Sequence, residues 1–355
     1  MVTIYDVANQ AGVSPKTVSR VINNDGPVSE RTRDTVETAI KLLGYVPSYA
    51  ARSMKSRKSG LIGLITGAIS NSEQFSTSVG LPDLFIVKGA QRVIGKSNKT
   101  LLISDTGGKT DSVPSLLRTF QEHRVEGVLY VAANHKLLDT SLDGFFERKV
   151  LVNCYDNVGT PAVVPDDEVG QYILTKTVIA EGHRRIGYLT LDPRQVATKL
   201  RLAGFNLALK EANIDLDPNL VVPVDLFGAP AEHELISDAL DKFFNLASPP
   251  TVICCGNDRL ALRTYSILRG KSIEVPEQIS VVGYDDHRQI AETLSPTLTT
   301  VELPYLAMGE RAATTLLELL SDDEKTPTGL MRVSGSVVRR RSLTAPRLPT
   351  PSRIT

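Results

Sequence analysis

The sequence predicts two folds in series, a small all-α headpiece built on a helix-turn-helix and a larger α/β body in two lobes. Three observations carry this. The first sixty residues show three short helical periods separated by glycine-containing breaks. Beyond Gly60, short apolar β-rich runs alternate with amphipathic helical stretches. The charge divides at the same point: residues 1–59 hold nine Lys/Arg and five acids, net +4, while the remainder holds 31 and 35, net −4, inside a chain whose total is zero. A basic module on an acidic body is the distribution expected of a nucleic-acid reader joined to a regulatory part.

At 355 residues, 41% hydrophobic and 23% charged, the chain has the composition of a globular protein with about two domains. Its three cysteines form no disulfide framework, and Cys254 and Cys255 are neighbours in an apolar run, which fits a reducing cytoplasm. No apolar stretch approaches the ~18 residues of a spanning helix, and MVTIYDVANQAGV lacks the basic and apolar regions of a signal peptide. A cytoplasmic protein with no membrane partner is expected.

The headpiece elements follow from their ends. Thr3 caps a first helix with Asp6 near its positive pole, and Val7, Ala8 and Ala11 supply its apolar face. Gly12 closes that helix, Ser14 caps the second and Pro15 takes its first position, where a missing N–H costs nothing. Along helix two, Val18, Val21 and Ile22 share one face while Lys16 and Arg20 share another. Asn23–Pro27 breaks the chain. Ser29 then caps a third helix with Val36, Ala39, Ile40 and Leu43 inward and Gly44 at its end. In such a unit the second helix enters the major groove. Lys16 and Arg20 are suited to guanine O6/N7, and Thr17, Ser19 and Asn23 to phosphates or other base edges.

Thr3-Ile4-Tyr5-Asp6-Val7-Ala8, Ala11-Gly12-Val13-Ser14, Thr17 to Asn23 and Val28-Ser29 through Thr32-Arg33 closely resemble the headpiece of the LacI/GalR (lac/gal repressor) family. Leu43–Pro47 and Ala50–Met54 continue the likeness. The resemblance adds Thr3, Tyr5, Ser14 and Pro15 to the DNA-contacting set. It also implies a hinge helix at about Ser48–Lys55, in which Ala51 contacts DNA and Met54 stands where a leucine usually wedges into a central minor-groove step. Ser48 and Pro27 depart from the frequent family residues, which bears on operator preference. The expected division is a headpiece at 1–47, hinge and linker at 48–60, a core at 61–343 and a disordered tail at 344–355.

In the body, β-rich runs at Leu61–Ile65, Thr100–Ser104, Gly127–Val131, Val150–Cys154, Arg185–Leu191, Thr251–Cys255 and Ile279–Tyr284 alternate with helical stretches such as Gly170–Glu181 and Arg201–Ala212. Continuous apolar strands between helices argue parallel sheets covered on both faces. The resemblance implies a periplasmic-binding-protein-like core of two doubly wound lobes, with the chain crossing between them more than once.

Ligands of such sheets lie at the carboxyl ends of strands. There the chain places Gly256-Asn257-Asp258 and Asp285-Asp286, whose carboxylates and amide either accept protons from a polar ligand or cap the next helix. The resemblance implies that Arg201 and Asp285 hold adjacent sugar hydroxyls, a fork donating against a carboxylate accepting. It adds Asn257 and Asp258, a stacking ring at Phe227, a first-lobe contact at Asn153 and a cleft-lining Phe75 in a loop longer than usual. Leu303 replaces a residue that is polar in some relatives.

Other signals are weak. Asp105–Thr110 ends like a phosphate-binding loop, but Ile103 occupies the place of its first glycine. The five histidines show no metal spacing and no nucleophile motif is present, so neither an enzyme nor a cofactor or metal is expected. The combined expectation is a repressor, dimeric or tetrameric, that binds a near-palindromic double-stranded DNA operator and answers to a small carbohydrate effector. A transport-type sugar-binding protein would lack the headpiece.

Overall fold

The headpiece closes on a core that three short helices can barely fill, so their caps matter. In the computed structural model, which describes residues 2–46, 59–67, 82–107, 109–138, 142, 144, 146–225, 232–321 and 329–347, the helices are α1 (Ile4–Ala11), α2 (Pro15–Asn23) and α3 (Glu30–Leu43). Val7, Ala8, Val18, Val21, Val36 and Ala39 are buried together. Each helix starts on a side-chain cap, from Thr3, Ser14 and Ser29, and ends on a left-handed residue, Gly12, Asn24 or Gly44.

The first lobe is a six-stranded, all-parallel sheet. Its strands are β1 (Leu61–Thr66), β2 (Thr100–Asp105), β3 (Gly127–Leu137), β4 (Lys149–Tyr155), β5 (Ala162–Pro165) and β11 (Leu330–Val333), in the order β2-β1-β3-β4-β5-β11. Helix α4 (Pro82–Ile94) and helix α11 (Tyr305–Leu320) cover one face and α5 (Val113–Glu122) the other. Glycines permit the α4–α11 contact: a Cβ on Gly309 would stand 2.0 Å from the Ile86 carbonyl oxygen.

In the second lobe β6 (Ile186–Leu191), β7 (Val221–Asp225), β8 (Val252–Cys255) and β9 (Ser280–Val282) form a parallel sheet ordered β7-β6-β8-β9. Helices α6 (Asp167–Ala180) and α7 (Val196–Glu211) pack on one face, α8 (Glu232–Phe244) and α9 (Asp258–Gly270) on the other. Strand alternation sends Cys254 to the first face and Cys255 to the second, which keeps the neighbouring thiols apart. Both stay reduced and buried.

The chain passes between the lobes three times. It leaves β5 for α6, returns through β10 (Thr300–Val301) to α11, and leaves β11 for β12 (Val337–Val338), which pairs antiparallel with β10. This is the doubly wound two-lobed core that the sequence predicts. The expected helices begin late, however: α6 starts at Asp167 and α7 at Val196, because the caps lie upstream of the apolar periods that mark them. The ordered core also outruns its expected limit at 343. Thr344 donates its N–H to Ser280 Oγ at 3.2 Å, and its carbonyl lies 2.8 Å from His183 Nε2.

Candidate functional site

On α2 the residues Lys16, Arg20 and Asn23 are exposed at helical spacing, opposite the buried Val18 and Val21. Their stripe is held rigid from beneath. Ser14 Oγ accepts the Thr17 N–H at 3.1 Å, and Asn23 Nδ2 donates to the Ser19 carbonyl at 2.8 Å. Pro15 opens the helix, and Thr3 exchanges hydrogen bonds with Asp6 in a capping box. Tyr5 is 67% exposed, a large aromatic with no core to enter. Met54 and Ala51, with the expected hinge at 48–55, lie outside the described residues, as do Phe75 and Phe227.

The second lobe gathers its charge at the carboxyl ends of its strands. Arg201, on the buried face of α7, donates from Nε to Asp167 Oδ1 at 2.7 Å and from Nη1 to the Gly256 carbonyl at 2.6 Å. Its guanidinium carbon stands 3.7 Å from the centre of the Tyr284 ring, a cation–π contact, and Nη1 lies 3.8 Å from Asp285 Oδ1. Burial alone would raise the Asp167 carboxyl, yet Arg201 and His135 hold it below the ordinary carboxylate range.

Asp285 is different. Burial, against the pull of Arg201, pushes its carboxyl up to about 7, although 30% of the side chain remains open. Its φ of 125° and that of Asp286, 50°, are positive, a strain of order 1–3 kcal/mol each for side chains of this kind. Backbone bonds fix the strained turn: the Asp285 N–H donates to the Val301 carbonyl at 2.8 Å, and the Asp285 carbonyl accepts the Leu303 N–H at 3.1 Å.

The other expected residues take supporting positions. Asn257 caps α9, its Oδ1 accepting the Leu260 N–H at 2.7 Å. Asp258 is fully enclosed, with one oxygen accepting from Thr300 Oγ1 at 2.6 Å and the other from the His287 N–H at 2.7 Å. Burial and then the charge of Asp285 raise its carboxyl well above the usual range. These bonds make Asp258 a brace for the Asp285 turn. Asn153 is buried with φ 59°, and its amide donates to the Ala132 carbonyl at 3.0 Å. Leu303 joins the apolar cluster beneath the second-lobe sheet.

Sequence reasoning missed Asp167, His135 and Tyr284. Between Val131 and Lys136 the β3–β4 register shifts, and the irregularity that Asn153 clamps presents His135 to α6. His135 Nδ1 lies 2.8 Å from Asp167 Oδ2, both groups buried, so a first-lobe side chain reaches the carboxylate that holds Arg201. A visible signal existed. Asp167 opens the stripe Asp167, Gly170, Gln171, Leu174 and Val178, an acid on a face otherwise destined for the core. Among the described residues no cluster of His, Cys, Asp and Glu could hold a metal ion, and no helix is long and apolar enough to cross a membrane.

Comparison with known proteins matches residues 3–48 to the model of bacterial regulatory proteins of the lacI family and residues 175–343 to a periplasmic binding protein-like domain. The chain is 32% identical to the HTH-type transcriptional repressor PurR of Vibrio atlanticus (strain LGP32), over 91% of its own length and 93% of that protein. It is 29% identical to the ribose operon repressor of Haemophilus influenzae, over 96% of this chain and 98% of the relative. Among solved structures, the lac repressor dimer bound to operator and the anti-inducer ONPF superposes with a TM-score of 0.80 at 25% identity, covering 97% of this chain and 99% of the other.

Proposed function

Because the chain belongs to the lacI family of bacterial regulatory proteins, we propose that it acts as a homodimer on a near-palindromic DNA operator and releases or tightens its grip in response to a small carbohydrate. A transcriptional repressor of this family joins a helix-turn-helix to a periplasmic-binding-like core, and both parts are present. The relatives are regulators, not enzymes.

One observation carries the effector reading: the strained, half-open Asp285 beside the buried fork of Arg201 at the strand ends. A carboxylate that accepts and a guanidinium that donates are the complement of neighbouring hydroxyls. A sugar operon among the targets of the relatives agrees with that chemistry. On the DNA side, Lys16, Arg20 and Asn23 read bases or phosphates, Thr17 and Ser19 assist, and Thr3, Tyr5, Ser14 and Pro15 sit at the phosphates, with Ala51 and Met54 in the minor groove. Leu84 and Phe85 on α4, with Ile103 on the edge strand β2, expose apolar surface suited to a second subunit. Cytoplasmic location follows from this work on DNA.

The test is a fluorescence-anisotropy titration of the full chain against genomic fragments selected by binding, repeated with mono- and disaccharides and with purine bases. The reading expects nanomolar selection of a two-fold-symmetric site and a change in affinity of tenfold or more with one carbohydrate, an allosteric coupling of ~1–3 kcal/mol. A response to a purine base alone would overturn the carbohydrate assignment. No preference among fragments would overturn the DNA assignment.

A further inference from the structure

Resting on the reading of the strand-end cleft as the effector site, we infer that Arg340, on the C-terminal segment, is a positioning residue for the effector response and acts through Asp286 on the turn that aims Asp285. The strained turn leans on the segment 299–303. Gly283 donates its N–H to the Thr299 carbonyl at 2.9 Å, Asp285 to the Val301 carbonyl at 2.8 Å, and Leu303 to the Asp285 carbonyl at 3.1 Å. The chain's end backs that segment in turn. Strand β12 pairs with β10, Glu302 donates its N–H to the Ser336 carbonyl at 2.9 Å, and Arg341 donates its own to the Thr297 carbonyl at 3.0 Å. Ser342 closes the stack: its Oγ accepts the Thr299 N–H at 2.8 Å and donates to the Val281 carbonyl at 2.6 Å.

Arg340 joins the outer layer of this stack to the turn itself. Its Nη2 donates to Asp286 Oδ1 at 2.7 Å and its Nη1 to the Leu298 carbonyl at 2.9 Å, while its backbone N–H donates to Thr299 Oγ1 at 2.9 Å. One planar guanidinium thus fixes the separation between a side chain of the turn and the backbone of the segment behind it, which the single ammonium of a lysine could not do. The Asp286 side chain is only 6% exposed, so its charge depends on this partner. Arg288 approaches Asp286 at 3.9 Å from a side chain that stands in water, and Glu292, also exposed, lies 3.6 Å from Arg340 Nη2.

The grip falls where the backbone needs it. Asp286 holds φ 50° directly after Asp285 at 125°, and such conformations persist only while their surroundings over-determine them. Asp258 braces the turn from the sheet side through Thr300 and His287, and Arg340 braces it from the chain's end. With Asp286 released, the turn relaxes and carries the Asp285 carboxylate away from Arg201 Nη1, now 3.8 Å off. A binding pair of this kind tolerates only about 0.5 Å of drift. Arg340 therefore sets how tightly the effector is held without being one of its ligands.

The experiment measures, for the full chain on its selected DNA, the half-maximal concentration at which mono- and disaccharides, each up to about 10 mM, change DNA affinity. Arg340→Met should raise that concentration about tenfold, and Asp286→Asn, which keeps the shape and removes the charge, by a similar factor. The double variant should be no worse than Arg340→Met, because both act through one ion pair. Amide exchange, which needs no sugar, should quicken about tenfold at Asp285 and Leu303 in Arg340→Met while the first-lobe sheet keeps its protection. Arg332→Met, on the exposed strand β11, should change neither readout. If Arg340→Met does not melt cooperatively, Asp286→Asn decides. Penalties that multiply in the double variant, or faster exchange across both lobes, make Arg340 a general support and overturn the inference. An unchanged half-maximal concentration in Arg340→Met and Asp286→Asn, where Asp285→Asn has lost the response, also overturns it and leaves the effector site standing. A response that survives Asp285→Asn overturns the site reading, and a parent chain indifferent to every sugar overturns carbohydrate control; the inference falls with either.

Discussion

The headpiece and the second-lobe cleft both present polar groups at helix and strand ends, and they hold them by opposite means. On α2 the polar side chains are in water, and the bonds that steady them span three or four residues, as in Ser14 to Thr17 and Asn23 to Ser19. In the cleft Arg201, Asp167 and His135 are out of water, and their partners are 34 residues away for Arg201 and Asp167, 32 for Asp167 and His135. A surface reader can lose one contact and keep its fold. A buried charge network fails as a unit, because each group left behind is uncompensated.

The sharpest way to break this comparison is Asp167→Ala. Removing the acid strands Arg201 in the interior, and urea unfolding should show a loss of ~3–5 kcal/mol. A loss below ~1 kcal/mol would mean that the network is no more cooperative than the headpiece. Next comes the pH dependence of Asp285. Its folded carboxyl titrates at about 7, above its unfolded value, so the stability it lends is complete at low pH and is lost as pH rises from about 4 through 7. Arg201, Asp167 and Arg259 all act on it, and Asp258 behind it is raised by its charge, so replacing Asp285 removes its own titration together with its push on Asp258. In thermal melts at pH 5 and pH 8, Asp285→Asn should show a smaller drop than the parent chain; an equal drop would refute the assignment.

The headpiece answers on a different axis. Arg20→Ala should weaken specific DNA binding by ~1–3 kcal/mol at fixed salt and leave the melt unchanged. Smallest is Ser14→Ala, where loss of the α2 cap should cost ~1 kcal/mol in headpiece stability, read by hydrogen exchange. Should Ser14→Ala cost more than Asp167→Ala, the contrast between the two regions is reversed.

The same contrast decides what can be read from sequence. Helix α2 is legible because the glycine stop of α1, its own serine cap and its proline lie within a few positions of one another, and each acts through the backbone next to it. Strands β1 and β6 are legible because a buried parallel strand must be apolar throughout. Asp285 is marked as a candidate by its place after an apolar strand, whereas Arg201 enters through resemblance alone, since nothing near it says that an acid waits one helix away. His135 is the extreme case. Its role depends on a register shift in β3, and no local rule foretells where a strand will bulge. Asp167 lay between these, an acid on an apolar stripe whose meaning appears only when the partner is in place.

The three passages between the lobes also set an order of completion at the ribosome. The first sheet is not whole until β11 arrives at Leu330–Val333, and the segment at Thr344 that ties down the second lobe comes later still. The three helices of the headpiece are all made by Leu43. A nascent chain thus has all three headpiece helices long before either sheet of the core is whole.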